Sequence, residues 1–380
     1  PVDSSSNSLT VPDASAPLTI GQAEALGYIN GSMDEIEIFN RALSAEEIAA
    51  IYNAGSVGKC DWPAPSEVWV DDSYNASSSG GHVWGYNAFD KIQTGIDAVT
   101  GSIVNVAAGT YYENIVLKDG VELMGAGSVN TTIDGMRNGA VITATDVIIP
   151  AQVSGFTVTN GSGQSLHGGT YGGGLSLVNS SIILDSCNIS GNLVGNDGAG
   201  MRMDNSSATV TNCTFRDNSA AEDAGGIDVV INSTLNITDC TLFNNSAIGG
   251  NGGGMRVYED CSMTAANCTF EDNTANWHGG GVHGHLANMS FTGCTVINNS
   301  AINGNGGGIN YFGSTGSING CAFENNTADY AGGGIALGSS APNVSNCTFT
   351  GNRVGPGTDA GGGGVYADSG SSPVIVNCIF

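Results

Sequence analysis

The chain has 380 residues with nine Lys and Arg against 35 Asp and Glu, a formal charge of −26. Only 12% of residues are charged, so the acidity comes from scarce bases, and such a surface excludes nucleic acid and anionic lipid as partners. No apolar run is long enough to span a membrane, and 59 glycines with abundant Asn, Ser and Thr suit tight turns rather than helices.

Residues 1–17 are polar and read as a tail, and a start at Pro1 reads as processed or trimmed. Over 27–55 the alternation at Ile36 and Ile38 predicts a strand. Ser44 and Glu47 then form a capping box, Ile48 and Ile51 a short helical stripe, and Gly55 its end. This segment resembles the C-terminal end of a laminin-G-like, concanavalin-type jelly roll, which implies a remnant of that fold over 1–58. Residues 59–67, KCDWPAPSE, read as a linker.

VWVDD at 68–72 opens a new unit. NAFDKIQTGIDAV over 87–99 places Phe89, Ile92, Ile96 and Val99 on one helical face, and the strand pattern of SIVNVAAGTYYENIVLKDGVELMGAG follows. Residues 68–135 resemble the N-terminal start of secreted pectate-lyase-like right-handed β-helix proteins. The resemblance implies a helical cap over the first coil of a solenoid.

From 136 to 380 the chain repeats. Cys187, Cys213, Cys240, Cys268, Cys294, Cys321 and Cys347 lie 26, 27, 28, 26, 27 and 26 residues apart, each opening a Cys-x-apolar-x-x-Asn segment, and Cys378 begins a broken copy. A fixed period of this length means stacked units too small to bury their own apolar faces. Each unit also carries a glycine cluster leading into an apolar residue, at Leu175, Met201, Ile227, Met255, Val282, Ile309, Ile335 and Val365. A second short strand precedes each Cys, as in Met263-Thr264-Ala265. Before seven of the eight repeat cysteines stands Asn, Asp or Gly, residues that tolerate left-handed backbone and can turn one strand into the next. The glycine-glycine-apolar and Phe-x-x-Asn segments resemble the repeats of polymorphic outer-membrane proteins, which again implies β-helix coils. The expected fold is an all-β right-handed parallel β-helix of about ten coils, three strands to a coil, with a short N-terminal helical cap.

Stacking identical coils about 4.8 Å apart aligns identical residues. Asn192, Asn218, Asn245, Asn273, Asn299, Asn326 and Asn352 should form an amide ladder. Ile189, Phe215, Leu242, Phe270, Val296, Phe323 and Phe349 should form an apolar column beside it. The cysteine column reads as buried free thiols, with disulfides between adjacent coils as the alternative; Cys60 and Cys261 lie off the column. Asn75, Asn130, Asn205, Asn232, Asn288 and Asn343 begin Asn-x-Ser/Thr triplets and are glycosylation candidates, although such triplets also arise from an Asn- and Thr-rich repeat.

The outward residues after the glycine clusters include Arg202, Asp228 and Arg256, expected to stack as a surface ion ladder. A hydrolase needs converging carboxylates, and Asp228 with Asp204 is the candidate catalytic pair. Trp277 with His278, His283 and His285 forms a second cluster, able to bind a metal or flank a sugar, with plain surface polarity as the bland reading. No metal site or cofactor is expected from the spacing, calcium at turns such as GNDG (195–198) being the open possibility.

The favoured expectation is a non-enzymatic protein of the cell surface or extracellular space, structural or adhesive. The closing strand VIVNCIF (374–380) reads either as a template for end-to-end fibre assembly or as the point where a longer chain continues. The alternative is a polysaccharide lyase or hydrolase, or a glycan-binding module, using Arg202, Asp228, Arg256, Trp277, His283, His285 and Tyr366 on the outer face.

Overall fold

A computed structural model describes residues 64–166, 168–355 and 361–380, together with the backbone of a two-residue antiparallel pair, Gln22–Ala23 with Gly27–Tyr28. Residues 1–63 form one unit and 64–380 another. The jelly-roll remnant, its capping box and Cys60 lie outside the described residues.

Residues 64–380 wind into stacked coils. One coil shows the plan: Met255–Tyr258, Ser262–Ala266, Thr269–Glu271 and Thr274–Ala275 are successive strands. Each pairs in parallel with its counterparts in the coils before and after. The stacks make sheet I of ten strands, sheet II of thirteen, sheet III of ten and sheet IV of seven. Sheet IV departs from the expected three strands per coil. Its two-residue strands, such as Ser219–Ala220, Ser246–Ala247 and Ser300–Ala301, follow the ladder asparagines. A small buried Ala in each lets the backbone close onto the next coil.

The bends explain the sequence pattern. Ser186, Asn212, Asp239, Asn267, Gly293, Gly320, Asn346 and Asn377, between sheets II and III, all hold φ between 52° and 64°. Asn and Asp tolerate this region and Gly enters it freely. At the corner between sheets I and II a second ladder runs, with Ser180 N–H donating to Ser206 Oγ and Ser206 N–H to Ser233 Oγ. Cys261 occupies a rung of that ladder, its sulfur accepting the Ser233 N–H at 3.3 Å, which accounts for its place off the cysteine column.

The core is the superposition of the predicted columns. Ile189, Phe215, Leu242, Phe270, Val296, Phe323 and Phe349 lie in register and are buried. Full burial of each such side chain stabilises by about 1.5–3 kcal/mol. Cys187 to Cys347 are buried free thiols, each 1–2% exposed. The asparagine amides form a continuous chain, Nδ2 of each donating to Oδ1 of the next at 2.9–3.0 Å from Asn192 to Asn352. Each Oδ1 also accepts the backbone N–H of the asparagine before it.

The helix is shorter than its apolar stripe suggested. It spans Ile92–Ala98, while Ala88–Phe89 is a strand paired to Trp69 and Val70. The Glu113 carboxylate accepts the N–H groups of Ile92 and Gln93 and so caps the first turn. Gly95 faces the first coil, where a Cβ would meet Val70 at 2.8 Å, so only glycine lets the helix close over Val68, Val70 and Val104.

Asn273→Leu removes both the acceptor for Asn245 and the donor to Leu242 O and Asn299. Each buried group left without a partner costs about 1–3 kcal/mol, so the variant should unfold at clearly lower denaturant than wild type. An unchanged midpoint would show that the amide ladder contributes nothing net.

Candidate functional site

Sheet I offers the candidate site, because its four-residue strands present two outward positions each. The first outward row runs Ser176, Arg202, Asp228, Arg256, His283, Asn310, Ala336, Tyr366. The second outward row includes Asp204, Tyr258, His285, Phe312 and Gly338. The rows divide into a closed polar cluster and an open groove.

The cluster is a buried ion network rather than an exposed ladder. Arg202 Nη1 lies 2.9 Å from Asp228 Oδ2 and 3.1 Å from Asp197 Oδ2, and Nη2 lies 3.1 Å from Asp204 Oδ1. Arg256 holds Asp228 through Nε at 2.7 Å and Asp197 through Nη2 at 3.1 Å, and also pairs with Asp223. Asp228 is 0% exposed and Asp204 5%. Burial works against the charge on Arg256, but Asp228 and Asp223 outweigh it and push its pKa up. Burial and then the Asp228 charge push Asp197 up, against the pull of Arg256. Removing one partner from such a network strands a buried charge, at about 3–5 kcal/mol. Asp228 therefore holds two arginines in place and has no oxygen turned to solvent.

An antiparallel hairpin, Gln164–Leu166 with Gly169–Tyr171, overhangs this end of sheet I. Gln164 accepts a hydrogen bond from Ser176, and the Tyr171 ring lies 4.3 Å beneath the Arg202 guanidinium. Asp197, in the GNDG turn, spends Oδ1 on the Asp223 N–H and Oδ2 on the two arginines. Among the described residues no group of three or more His, Cys, Asp or Glu converges as a metal cage.

The groove, of about 470 Å³, begins on the other side of Arg256. Its shelf is a stack of three rings: Tyr258 on His285 at 4.8 Å and 12°, and His285 on Phe312 at 5.3 Å and 6°. The floor is Ala336, Leu337 and Gly338, where the outward side chains shrink to a methyl and a hydrogen, and the far wall is Tyr366 and Asp368. Gly338 leaves room for the Phe312 ring, which a Cβ there would meet at 3.0 Å, tighter than ordinary contact. His278, His283 and Asn310 supply polar atoms on the Arg256 side.

His283 is 5% exposed, its side chain hydrogen-bonds Asn310, and its Nδ1 has no partner. Burial, then the nearby His278, Arg256 and His285, pushes it down to about 3. It is a neutral imidazole at any pH above that. His278 Nδ1 accepts the Asn305 N–H at 3.0 Å, and burial lowers its pKa as well. Asp368 Oδ1 accepts the N–H groups of Ser339 and Gly370 and the Ser371 hydroxyl, and these bonds hold its pKa low, so it stays a carboxylate.

The structure thus brings His283 and His285 into the groove and locks Arg202, Asp204, Asp228 and Arg256 in the cluster. Trp277 is 45% exposed on a neighbouring loop and does not line the groove. Asn75, Asn130, Asn205, Asn232, Asn288 and Asn343 are all exposed. Sequence reasoning reached Asp204 and His285 but missed Tyr258, Phe312 and Asp368, because it followed the second outward position on only some strands. The period-two rule also turns the residue two places on to solvent. It missed Asp197 and Asp223 because they come from the loops that fold over the sheet.

A family profile described as "Right handed beta helix region" matches residues 86–270, 138–328 and 245–380, so the chain belongs to the right-handed β-helix family. A comparison with curated proteins gives no match. Among solved structures the chain is similar to the mannuronan C-5 epimerase AlgE4 A-module of Azotobacter vinelandii, with 14% identity and TM-score 0.43 over 76% of this chain and 90% of that one. It is similar to tailspike protein 2 of Escherichia coli O157:H7 bacteriophage CAB120, with 14% identity and TM-score 0.48 over 78% of this chain and 41% of that one. It is also similar to the polygalacturonase of Erwinia carotovora ssp. carotovora, with 13% identity and TM-score 0.37 over 84% and 99%. At these levels the likeness is one of fold.

The laminin-G and outer-membrane-repeat resemblances are not reflected in these comparisons, whereas the β-helix one is. The expectation of a non-enzymatic structural or adhesive protein is corrected: the solved proteins that share the fold include an epimerase and a polygalacturonase. No helix among the described residues is long and apolar enough to cross a membrane.

The folded pKa of His283 lies below the ordinary value, so the unfolded chain binds its proton more readily. Its contribution to stability is complete above pH 6.5 and is lost as pH falls toward 3, by about 1.4 kcal/mol per pH unit. His283→Phe should flatten the acid limb of a stability–pH curve relative to wild type. Parallel limbs would contradict the buried neutral imidazole.

Proposed function

We propose that the chain is a polysaccharide-active protein that takes a glycan chain in the groove of sheet I. The half-exposed Phe312 ring, stacked on His285 through one face and turning the other toward the Gly338 floor, carries this reading. A pyranose ring presents a C–H face and a rim of hydroxyls. Aromatic faces bury the first, and fixed polar atoms pair with the second. The groove offers both within one concave surface, with Tyr366 opposite the shelf. Because parallel stacking repeats every coil at about 4.8 Å, successive sugars can lie along the solenoid and meet successive coils.

The chemical step has few candidates. Cleavage by paired carboxylates needs two free carboxyl groups across the bond, and among the described residues the groove holds one, Asp368, since Asp204 and Asp228 belong to the arginine cluster. A proton-transfer step in the groove would draw on Asp368. The reading includes action outside the cell, where polysaccharides are met; the repeat thiols, 1–2% exposed, are shielded from oxidants there.

Phe312→Ala removes one ring from the shelf without touching the core, since Phe312 is 49% exposed. Losing an aromatic contact of about 1–2 kcal/mol should weaken glycan binding about tenfold in affinity electrophoresis, with an unchanged melting temperature. Undiminished binding in that variant would move the site elsewhere.

A further inference from the structure

A ladder of loop residues orders the edge where the coils enter sheet I. Asp223 N–H donates to Asp197 Oδ1, Asn251 N–H to Asp223 Oδ1, His278 N–H to Asn251 Oδ1 and Asn305 N–H to His278 Nδ1, at 2.6–3.1 Å. Asn251, His278 and Asn305 also line the groove. The residues just before them, Gly250, Trp277 and Gly304, begin a second row that Tyr330 completes. Trp277 N–H donates to Gly250 O at 2.9 Å, and Tyr330 N–H to Gly304 O at 3.0 Å. Glycine and aromatic rungs alternate in this row. A Cβ at Gly250 would collide with Asp223 Oδ1, and one at Gly304 with the Trp277 carbonyl, so neither rung has room for a side chain. Trp277 and Tyr330 therefore stand two coils apart, about 9–10 Å, with a bare rung between them. They are 45% and 43% exposed. Among the described residues neither ring stacks on another aromatic group. Ile248 and Ile302, two residues before the glycines, add exposed apolar surface to the same edge.

We propose that Trp277 and Tyr330 form a second glycan platform on this edge, taking an extended, equatorially linked polysaccharide such as a β-1,4-linked chain. This rests on the reading of the chain as polysaccharide-active, but not on the groove being where it acts. The physical reason is period. One coil, about 4.8 Å, is close to the length of one pyranose in an extended chain. Two sugars separated by a third can then lie on the two rings while the middle one passes over Gly304. In a two-fold ribbon those two sugars present the same C–H face. Aromatic faces bury it, and the indole N–H and phenol O–H at the ring rims can bond hydroxyls. A coiled α-linked chain does not keep this match. The loop ladder sets the spacing before any ligand arrives, so binding has little of the protein left to order. A second copy of the chain or another protein would need about 20–30 residues a side for a stable contact, more than this single row of loop residues presents.

The test is affinity electrophoresis of the full chain in native gels holding glucomannan, xylan or polymannuronate, with dextran as the α-linked control. Titration with β-1,4-linked oligosaccharides of increasing length accompanies it. Wild type, Trp277→Ala, Trp277→Phe, Tyr330→Ala and Phe312→Ala are compared, each checked for an unchanged melting temperature. At least one β-linked polymer should retard wild type, and dextran should not. Trp277→Ala and Tyr330→Ala should each weaken binding about tenfold, while Trp277→Phe keeps most of it. Affinity should rise once an oligosaccharide is long enough to span both rings, and that rise should be missing from either alanine variant. Retardation lost in Phe312→Ala but unaltered in Trp277→Ala and Tyr330→Ala would overturn the platform and leave the groove as the glycan site. The reverse pattern would uphold the platform and overturn the groove. Dextran bound as tightly as the β-linked polymers would overturn the match of period. Retardation by no polymer, or retardation that no variant changes, would overturn platform and groove together. Dimerisation abolished by Trp277→Ala, with retardation untouched, would assign the row to a second copy of the chain and overturn the proposal.

Discussion

Everything in this molecule depends on register between parallel coils. A one-residue slip would turn each inward column to solvent, and the asparagine amides prevent it. Each amide donates forward to the next amide oxygen and back to a carbonyl, as Asn273 does with Asn299 and Leu242, while its own oxygen accepts the side-chain and backbone N–H groups of the asparagine before it, here Asn245. Such a rung can be satisfied in only one alignment. The phenylalanine and cysteine columns supply burial, and the amides add a directional bond between each coil and the next.

Given that register, function follows from what the outward rows of sheet I contain. Repetition makes neighbouring coils meet the same space, so small departures from the repeat shape a site. Replacing bulky outward residues by Ala336 and Gly338 opens a trough one coil wide, and aromatic residues on either side wall it. Two arginines placed between aspartates close the face at one end. The groove therefore arises from substitution within a regular lattice rather than from a special loop.

The coil plan was legible because the same residue types recur where the geometry demands them. The residue before each repeat Cys, Asn or Asp in five of eight, sits at positive φ, and the ladder Asn and the apolar residue three before it align as expected. The fourth strand was not legible, since Ser-Ala or Thr-Ala pairs carry no strand signature. Nor was the shortening of the helix, where Ala88–Phe89 is captured by Val70 and Trp69. At the site, Arg202, Asp228 and Arg256 were visible as a charged stack, but their burial depends on Asp197 and Asp223 arriving from loops. His283 and His285 were visible as a pair, whereas the rings that sandwich His285 lie one coil to either side, a relation that only the exact coil lengths reveal.

The most direct measurement is hydroxyl-radical footprinting of the chain with and without the polysaccharide that binds most tightly. Protection concentrated on Tyr258, Phe312 and Tyr366, with the outward residues of sheets II and III unchanged, is the predicted result. Protection on another sheet, or spread evenly along the coils, would contradict the claim that one trough in sheet I is where this solenoid acts.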